Sequence, residues 1–135
     1  MTHPIPPAVA RLSPLLLLVL FTLLPYGWFA QHWPWLDAVA SWLFATEAAH
    51  AVGHALSFGA LGAALLTVFP ALCARPGLYL AIVLAVALGQ EGLQLLYKGR
   101  GVIVNDMTDL GTDMVAAVVV LALMRAAARN RPEAL

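Results

Sequence analysis

The sequence predicts an all-α integral membrane protein, a bundle of four transmembrane helices. Hydrophobic residues make up 62% of the 135 residues and charged residues only 10%. Soluble domains carry about a quarter charged residues, so a water-soluble packing cannot hide this much apolar surface on so short a chain. The apolar residues also fall into stretches of about 20, the length that a helix needs to cross the hydrocarbon core. We therefore predict a single membrane domain over residues 1–135.

Four apolar stretches supply the predicted helices, at residues 12–30, 48–69, 78–97 and 109–126. The first is built around the Leu15–Leu20 run, and the third starts after the Pro76-Gly77 breaker. The first stretch resembles a signal peptide because Arg11 precedes it. Cleavage needs small residues at positions −3 and −1, and Trp28-Phe29-Ala30 lacks the first of these, so we predict a retained helix.

The distribution of basic residues predicts the orientation of the chain. With four spans, both termini and the turn at residues 70–77 lie on one side, which carries Arg11, Arg75, Arg125, Arg129 and Arg131. The other side carries only Lys98 and Arg100. Because Lys and Arg accumulate on the cytoplasmic side, we predict a multi-pass protein of the cell inner (cytoplasmic) membrane with both termini in the cytoplasm.

Charge and cysteine content exclude some classes of function. The formal net charge is zero, which leaves no basic field for nucleic acid. Cys73 is the only cysteine, so the chain has no internal disulfide. No cofactor is predicted. The tryptophans all flank the first outward loop, which favours an aromatic belt at the membrane surface, with ligand stacking as the alternative: Trp28, Trp33, Trp35 and Trp42.

Ionisable and amide side chains form three groups that the predicted topology places at the outward end. Two of the groups have i, i+3 and i+7 spacing and so share one face of a helix, and in the third Gln94 falls angularly between Gln90 and Glu91, so each group forms a polar stripe. Lipid is a poor surrounding for such stripes, and we expect them to face one another. The groups are Glu47, His50 and His54; Gln90, Glu91 and Gln94; and Asp106, Asp109 and Asp113.

The simplest explanation for polar residues on these helices is that they pair with one another. Arg100 is the natural partner of Glu91 or of an aspartate, because its planar fork grips a carboxylate with two hydrogen bonds. Glu91–Arg100 and His50–Asp109 could be plain ties between helices. Asp109 could instead cap the fourth helix, and Asp106 reads as a solvated loop carboxylate.

Short motifs in this region are similar to the signature of the VanZ-like membrane protein family. They are Gln90-Glu91-Gly92-Leu93-Gln94, Gly99-Arg100 and Asp109-Leu110-Gly111-Thr112-Asp113, with Thr46-Glu47-Ala48-Ala49-His50 upstream. The resemblance covers roughly residues 46–117. The chain departs from the family pattern where Thr46-Glu47 replaces its Asp-Lys and where Asp113 replaces its Asn.

The resemblance implies a binding site and a cell-envelope function. The implied binding residues are His50, Glu91, Gln94, Arg100, Asp109 and Asp113. The family includes a protein linked to resistance against the glycopeptide teicoplanin. We therefore expect membrane lipids as partners, with a lipid headgroup, a lipid-linked cell-wall precursor or a glycopeptide bound in an outward polar pocket.

Two further hypotheses come from the same residues. In a membrane-embedded hydrolase or transferase, His50 would act as general base with Glu91 or Asp109 orienting it. No serine or cysteine lies close enough to be an obvious nucleophile. Glu47-x-x-His50 also has the spacing of di-iron bundles, and His50 and His54 at i, i+4 can share one ion. The family pattern does not fix Glu47 or His54, so a metal site is an alternative and no metal ligand is assigned.

Overall fold

A computed structural model of the chain describes residues 7–130, with side chains from residue 12 onward. The first six and last five residues of the predicted domain lie outside this range. The described residues form six α-helices and a short 3₁₀ turn, Pro70–Ala74, which confirms the all-α fold. The helices are α1 (Pro7–Leu23), α2 (Tyr26–His32), α3 (Pro34–Leu43), α4 (Glu47–Val68), α5 (Pro76–Lys98) and α6 (Val104–Arg129).

Within the described residues, three helices are long and apolar enough to cross a membrane, namely α4, α5 and α6. A fourth span exists if Leu12–Leu23 and Tyr26–His32 count as one, although these two segments meet at a bend of 61°. With three or four candidate spans, the described residues agree with a multi-pass membrane protein. Helix α4 is offset from its predicted limits by one residue, whereas α5 and α6 extend beyond theirs, most of all α6, which begins at Val104 rather than at residue 109.

The prediction of one continuous first helix over residues 12–30 is wrong, because the chain breaks at Pro25. Proline has no N–H to donate to the carbonyl four residues earlier, and its ring clashes with that carbonyl. Here the freed carbonyl is that of Phe21, and the Tyr26 hydroxyl donates to it at 2.7 Å. The freed carbonyl therefore has a donor nearby, and α2 continues at an angle to α1.

Helix α3 lies between the first two predicted spans, in the tryptophan-rich region of the first outward loop. It begins with Pro34 in its first turn, a position where the missing N–H costs nothing. None of its residues is buried, and Trp42 is 79% exposed. Its exposed tryptophans fit the predicted aromatic belt.

Contacts between helices establish their directions. Leu23 at the end of α1 lies against Gly89 of α5, and the Tyr97 hydroxyl lies against Gly27 of α2. At the other end, Arg125 of α6 donates from Nε and Nη2 to the Cys73 carbonyl, with the Nε bond at 2.8 Å. Arg125 is near the C-terminus of α6, and Cys73 lies in the turn between the C-terminus of α4 and the N-terminus of α5. The opposite end of the bundle therefore holds the N-termini of α4 and α6 and the C-terminus of α5. We call this the polar end.

Below the polar end lies a buried apolar cluster, which we call the apolar half. Tyr79 of α5 is fully buried there, and its hydroxyl donates to the Ala117 carbonyl of α6 at 3.2 Å. Its ring reaches this position because Gly62 of α4 has no side chain in the way. The apolar half comprises Leu15, Phe58, Leu61, Leu65, Leu66, Leu72, Tyr79, Val83, Ala87, Ala117 and Leu121.

Candidate functional site

Histidines of α4 meet aspartates of α6 at the polar end. The Nε2 atom of His50 lies 3.3 Å from Oδ2 of Asp109, and the Nε2 atom of His54 lies 3.8 Å from the same oxygen. The predicted contact between His50 and Asp109 is thus present. The polar stripes of these two helices face each other, as their i, i+3 and i+7 spacing predicted.

His54 and Asp113 form the most deeply buried part of this contact. The His54 ring is 6% exposed and Asp113 is fully buried. Nδ1 of His54 lies 2.9 Å from Oδ1 of Asp113. A carboxylate accepts hydrogen bonds only, so the proton of this bond belongs to Nδ1 and the Nε2 atom is left facing Asp109. The bond to Asp113 therefore sets the orientation of the ring.

Glu91 is buried at the same level but has a different environment. It is 6% exposed, and among the described residues neither of its carboxylate oxygens accepts a hydrogen bond. It interacts electrostatically with Asp109 and with His54. A buried carboxylate without a donor costs free energy, so Glu91 is a candidate functional residue beside the histidine–aspartate contact.

Arg100 pairs with Asp106, and the predicted Glu91–Arg100 pair does not form. Nη1 and Nη2 of Arg100 donate to the two oxygens of Asp106, both at 2.8 Å. The Ile103 backbone N–H donates to the same carboxylate at 2.8 Å. This bonding raises the pKa of the Arg100 guanidinium further above its ordinary value, so the side chain stays charged.

Asp106 therefore has a structural role, which is to hold Arg100 and the start of α6. It was predicted to be a solvated loop carboxylate, yet it is 2% exposed. It occupies the third position of α6, where its bond to the Ile103 N–H fixes the helix start. The alternative that Asp109 caps this helix is wrong, because Asp109 lies more than one turn inside it.

An open cleft of about 240 Å³ leads from this region to the surface of the polar end. On one side Lys98 donates to Gln94 at 2.6 Å, and on another Asn105 donates to Glu47 at 3.4 Å. Gln94 is therefore tied to the end of α5 rather than to the histidines. The cleft is lined by Phe44, Ala45, Thr46, Glu47, His50, Lys98, Arg100, Ile103 and Asn105.

The six predicted binding residues thus separate into two neighbouring parts. His50, Asp109 and Asp113 lie in the histidine–aspartate contact with Glu91 buried beside them, whereas Arg100 lies at the cleft and Gln94 is bonded to Lys98, a cleft residue. His54 joins the first part, although the family pattern did not include it. The signal was present in its helical spacing, which puts it on the same face as His50.

Comparisons with protein-family models, with curated proteins and with solved structures found no match to the chain. The geometry of the polar end and the motifs in the sequence are therefore the observations that bear on function.

Proposed function

We propose that this chain is a VanZ-like integral membrane protein of the cell envelope that binds the anionic headgroup of an amphiphile at its polar end. The observation that carries the proposal is the cleft, which has two basic side chains, Lys98 and Arg100, beside the half-exposed His50. An amphiphile is favoured because the cleft opens where apolar helices end. Its headgroup would enter the cleft while its chains stay in lipid.

Arg100 and Lys98 would both contact the headgroup. Asp106 fixes the position of the Arg100 guanidinium, while 32% of the Arg100 side chain remains exposed to a ligand. Lys98 is exposed; among the described residues its ammonium donates to the neutral Gln94 and lies 6.0 Å from the centroid of the Tyr97 ring, and neither contact involves a carboxylate. A guanidinium held in place and an exposed ammonium together suit phosphate, which has several acceptor oxygens.

The membrane and the orientation form part of this proposal. The arginine distribution supports an inner-membrane protein with both termini in the cytoplasm, which would direct the cleft outward. An outward cleft would meet lipid headgroups or a lipid-linked cell-wall precursor. The resemblance to the VanZ-like family adds glycopeptide resistance as an expected phenotype, for which a deletion strain challenged with teicoplanin is the test.

Binding can be measured on the full-length chain in lipid nanodiscs with brominated lipids, because the tryptophans of α2 and α3 lie at the same end. We expect brominated phosphatidylglycerol to quench tryptophan fluorescence at lower mole fraction than brominated phosphatidylcholine. Lys98→Gln and Arg100→Gln should each weaken the preference roughly tenfold, the usual loss for one charge-assisted contact.

The control is Arg129→Gln, which removes a cation from the last turn of α6 at the opposite end of the bundle. It should leave the preference unchanged. If Lys98→Gln and Arg100→Gln behave like this control while keeping native helix content, the cleft does not bind anionic headgroups.

A second candidate is a membrane-embedded hydrolase or transferase that acts on the bound amphiphile. It is favoured by the buried orientation of His54 on Asp113 and by the half-exposed His50, which lines the cleft and contacts Asp109. His50 would take a proton from an attacking water, with Asp109 holding the ring. Mass spectrometry of the same nanodiscs after incubation separates the candidates, because only an enzyme releases a headgroup, and His50→Gln would stop that release.

A further inference from the structure

We propose that His50, His54 and Asp109 bind one divalent transition-metal ion at the floor of the cleft. The ligand atoms are the Nε2 atoms of the two histidines and a carboxylate oxygen of Asp109, and all lie within 4.8 Å of one another. This goes beyond headgroup binding and does not depend on it. Zinc binding is measured without lipid, so either proposal can fail while the other stands.

The distances fit a metal better than they fit a set of hydrogen bonds. The two Nε2 atoms are 3.3 and 3.8 Å from Asp109 Oδ2, and the second distance is too long for a hydrogen bond. Around tetrahedral zinc, with bonds of about 2.0–2.1 Å, neighbouring ligand atoms lie roughly 3.3 Å apart. The two histidine–aspartate distances therefore need to change by no more than about half an ångström, and all three ligand atoms already lie within 4.8 Å of one another.

Asp113 supplies the outer support that metal-binding histidines usually have. Metal-bound histidine commonly donates its other ring N–H to a carboxylate, which fixes the tautomer and makes the free nitrogen a better ligand. The bond between His54 Nδ1 and Asp113 Oδ1 has this arrangement at 2.9 Å. Its effect is to direct the Nε2 atom of His54 toward Asp109.

Glu91 is the independent observation that points to a cation. It is more than nine-tenths buried, interacts electrostatically with Asp109 and His54, and has no hydrogen-bond donor among the described residues. Two further carboxylates, Asp109 and Asp113, lie in the same region. A divalent cation would balance this negative charge.

The ligand set narrows the class of metal. Two histidines and one carboxylate with a remaining open position occur in catalytic zinc sites and in non-haem iron(II) sites. His50 is the only one of the three ligands that lines the cleft, so the open position would lie on that side. A headgroup oxygen in the cleft would then be within reach of the ion.

The test uses the full-length chain, purified in detergent with a tag that contains no histidine, stripped with a chelator and dialysed against zinc. We expect about one zinc ion per chain by elemental analysis. His54→Gln and Asp109→Asn should abolish stoichiometric binding, and Asp113→Asn should lower zinc affinity by about 10–100-fold. His32→Gln is the matched control, because His32 is exposed and bonded to the Trp28 carbonyl within its own helix.

Cobalt(II) and anaerobic iron(II) extend the test to folded wild-type protein. A tetrahedral cobalt site absorbs visible light strongly, and this absorption should disappear in His54→Gln but persist in His32→Gln. Competition of iron(II) against zinc distinguishes the two classes of metal. The proposal is overturned if the wild-type chain retains none of the three metals after dialysis, or if His54→Gln and Asp109→Asn retain zinc as the wild type does.

Discussion

The apolar half and the polar end of the bundle differ in how their buried groups are satisfied. In the apolar half, buried side chains are hydrocarbon or, as with Tyr79, carry a hydroxyl that donates to a backbone carbonyl. At the polar end, Glu91 is buried without a donor and Asp113 has one oxygen with no hydrogen bond among the described residues. The buried side chains of the apolar half pack against one another, whereas the polar end contains buried carboxylate oxygens that accept no hydrogen bond from the described residues.

This difference indicates that, along the same helices, the apolar half contributes mainly to stability and the polar end is the candidate functional region. His54 and Phe58 are neighbours on α4, with their rings stacked at 6.4 Å, yet one belongs to the polar end and the other to the apolar half. Buried unpaired carboxylates reduce stability, and such groups in membrane proteins mark functional sites. Substitutions in the apolar half should therefore change stability, while those at the polar end should change binding.

The largest expected effect comes from Phe58→Ala. Phe58 is fully buried, so its removal leaves a cavity and should lower the free energy of unfolding by about 3–5 kcal/mol. Phe44→Ala is the matched change at the polar end, where Phe44 is 42% exposed, and should cost less than about 1 kcal/mol. Unfolding titrations with sodium dodecyl sulfate measure both. Equal losses would mean that the two regions do not differ in packing.

A smaller effect is expected from Gly62→Ala. The added methyl would overlap the Tyr79 hydroxyl, which is held by the Ala117 carbonyl, and the overpacking should cost about 1–3 kcal/mol. Gly92→Ala is the control on α5, because nothing lies within 4 Å of its new methyl. It should be neutral or stabilise the helix by up to about 1 kcal/mol. The same titration gives both values, and a neutral Gly62→Ala would contradict the close approach of α4 to Tyr79.

The smallest effect is expected from Thr46→Ala at the start of α4. The Thr46 hydroxyl accepts from the Ala49 N–H at 3.1 Å, and losing this cap should cost about 1 kcal/mol. Because His50 lies in the first turn beyond the cap, zinc affinity should fall as well. Thr67→Ala, which removes only a bond to Ala63 within the last turn of α4, should leave zinc affinity unchanged. An unchanged affinity in Thr46→Ala would show that His50 is positioned without the cap.

Much of the polar end could be predicted from spacing within single helices. The intervals between Glu47, His50 and His54 placed them on one face of α4, and the same rule applied to the aspartates of α6. The contact between His50 and Asp109 followed from those faces. Partners across a loop could not be predicted in this way, and Arg100 was assigned to Glu91 or to an unspecified aspartate.

Composition and apolar stretch length by themselves determined that the chain is an all-α membrane protein, because lipid requires helices of about 20 apolar residues. Only the tertiary structure decided that Arg100 grips Asp106, that Pro25 bends the first span, and that His54 turns its Nε2 atom toward Asp109. The physical reason is that spacing fixes which residues share a face of one helix. The rotation of each helix about its axis and the path of the loops fix which atoms meet across helices.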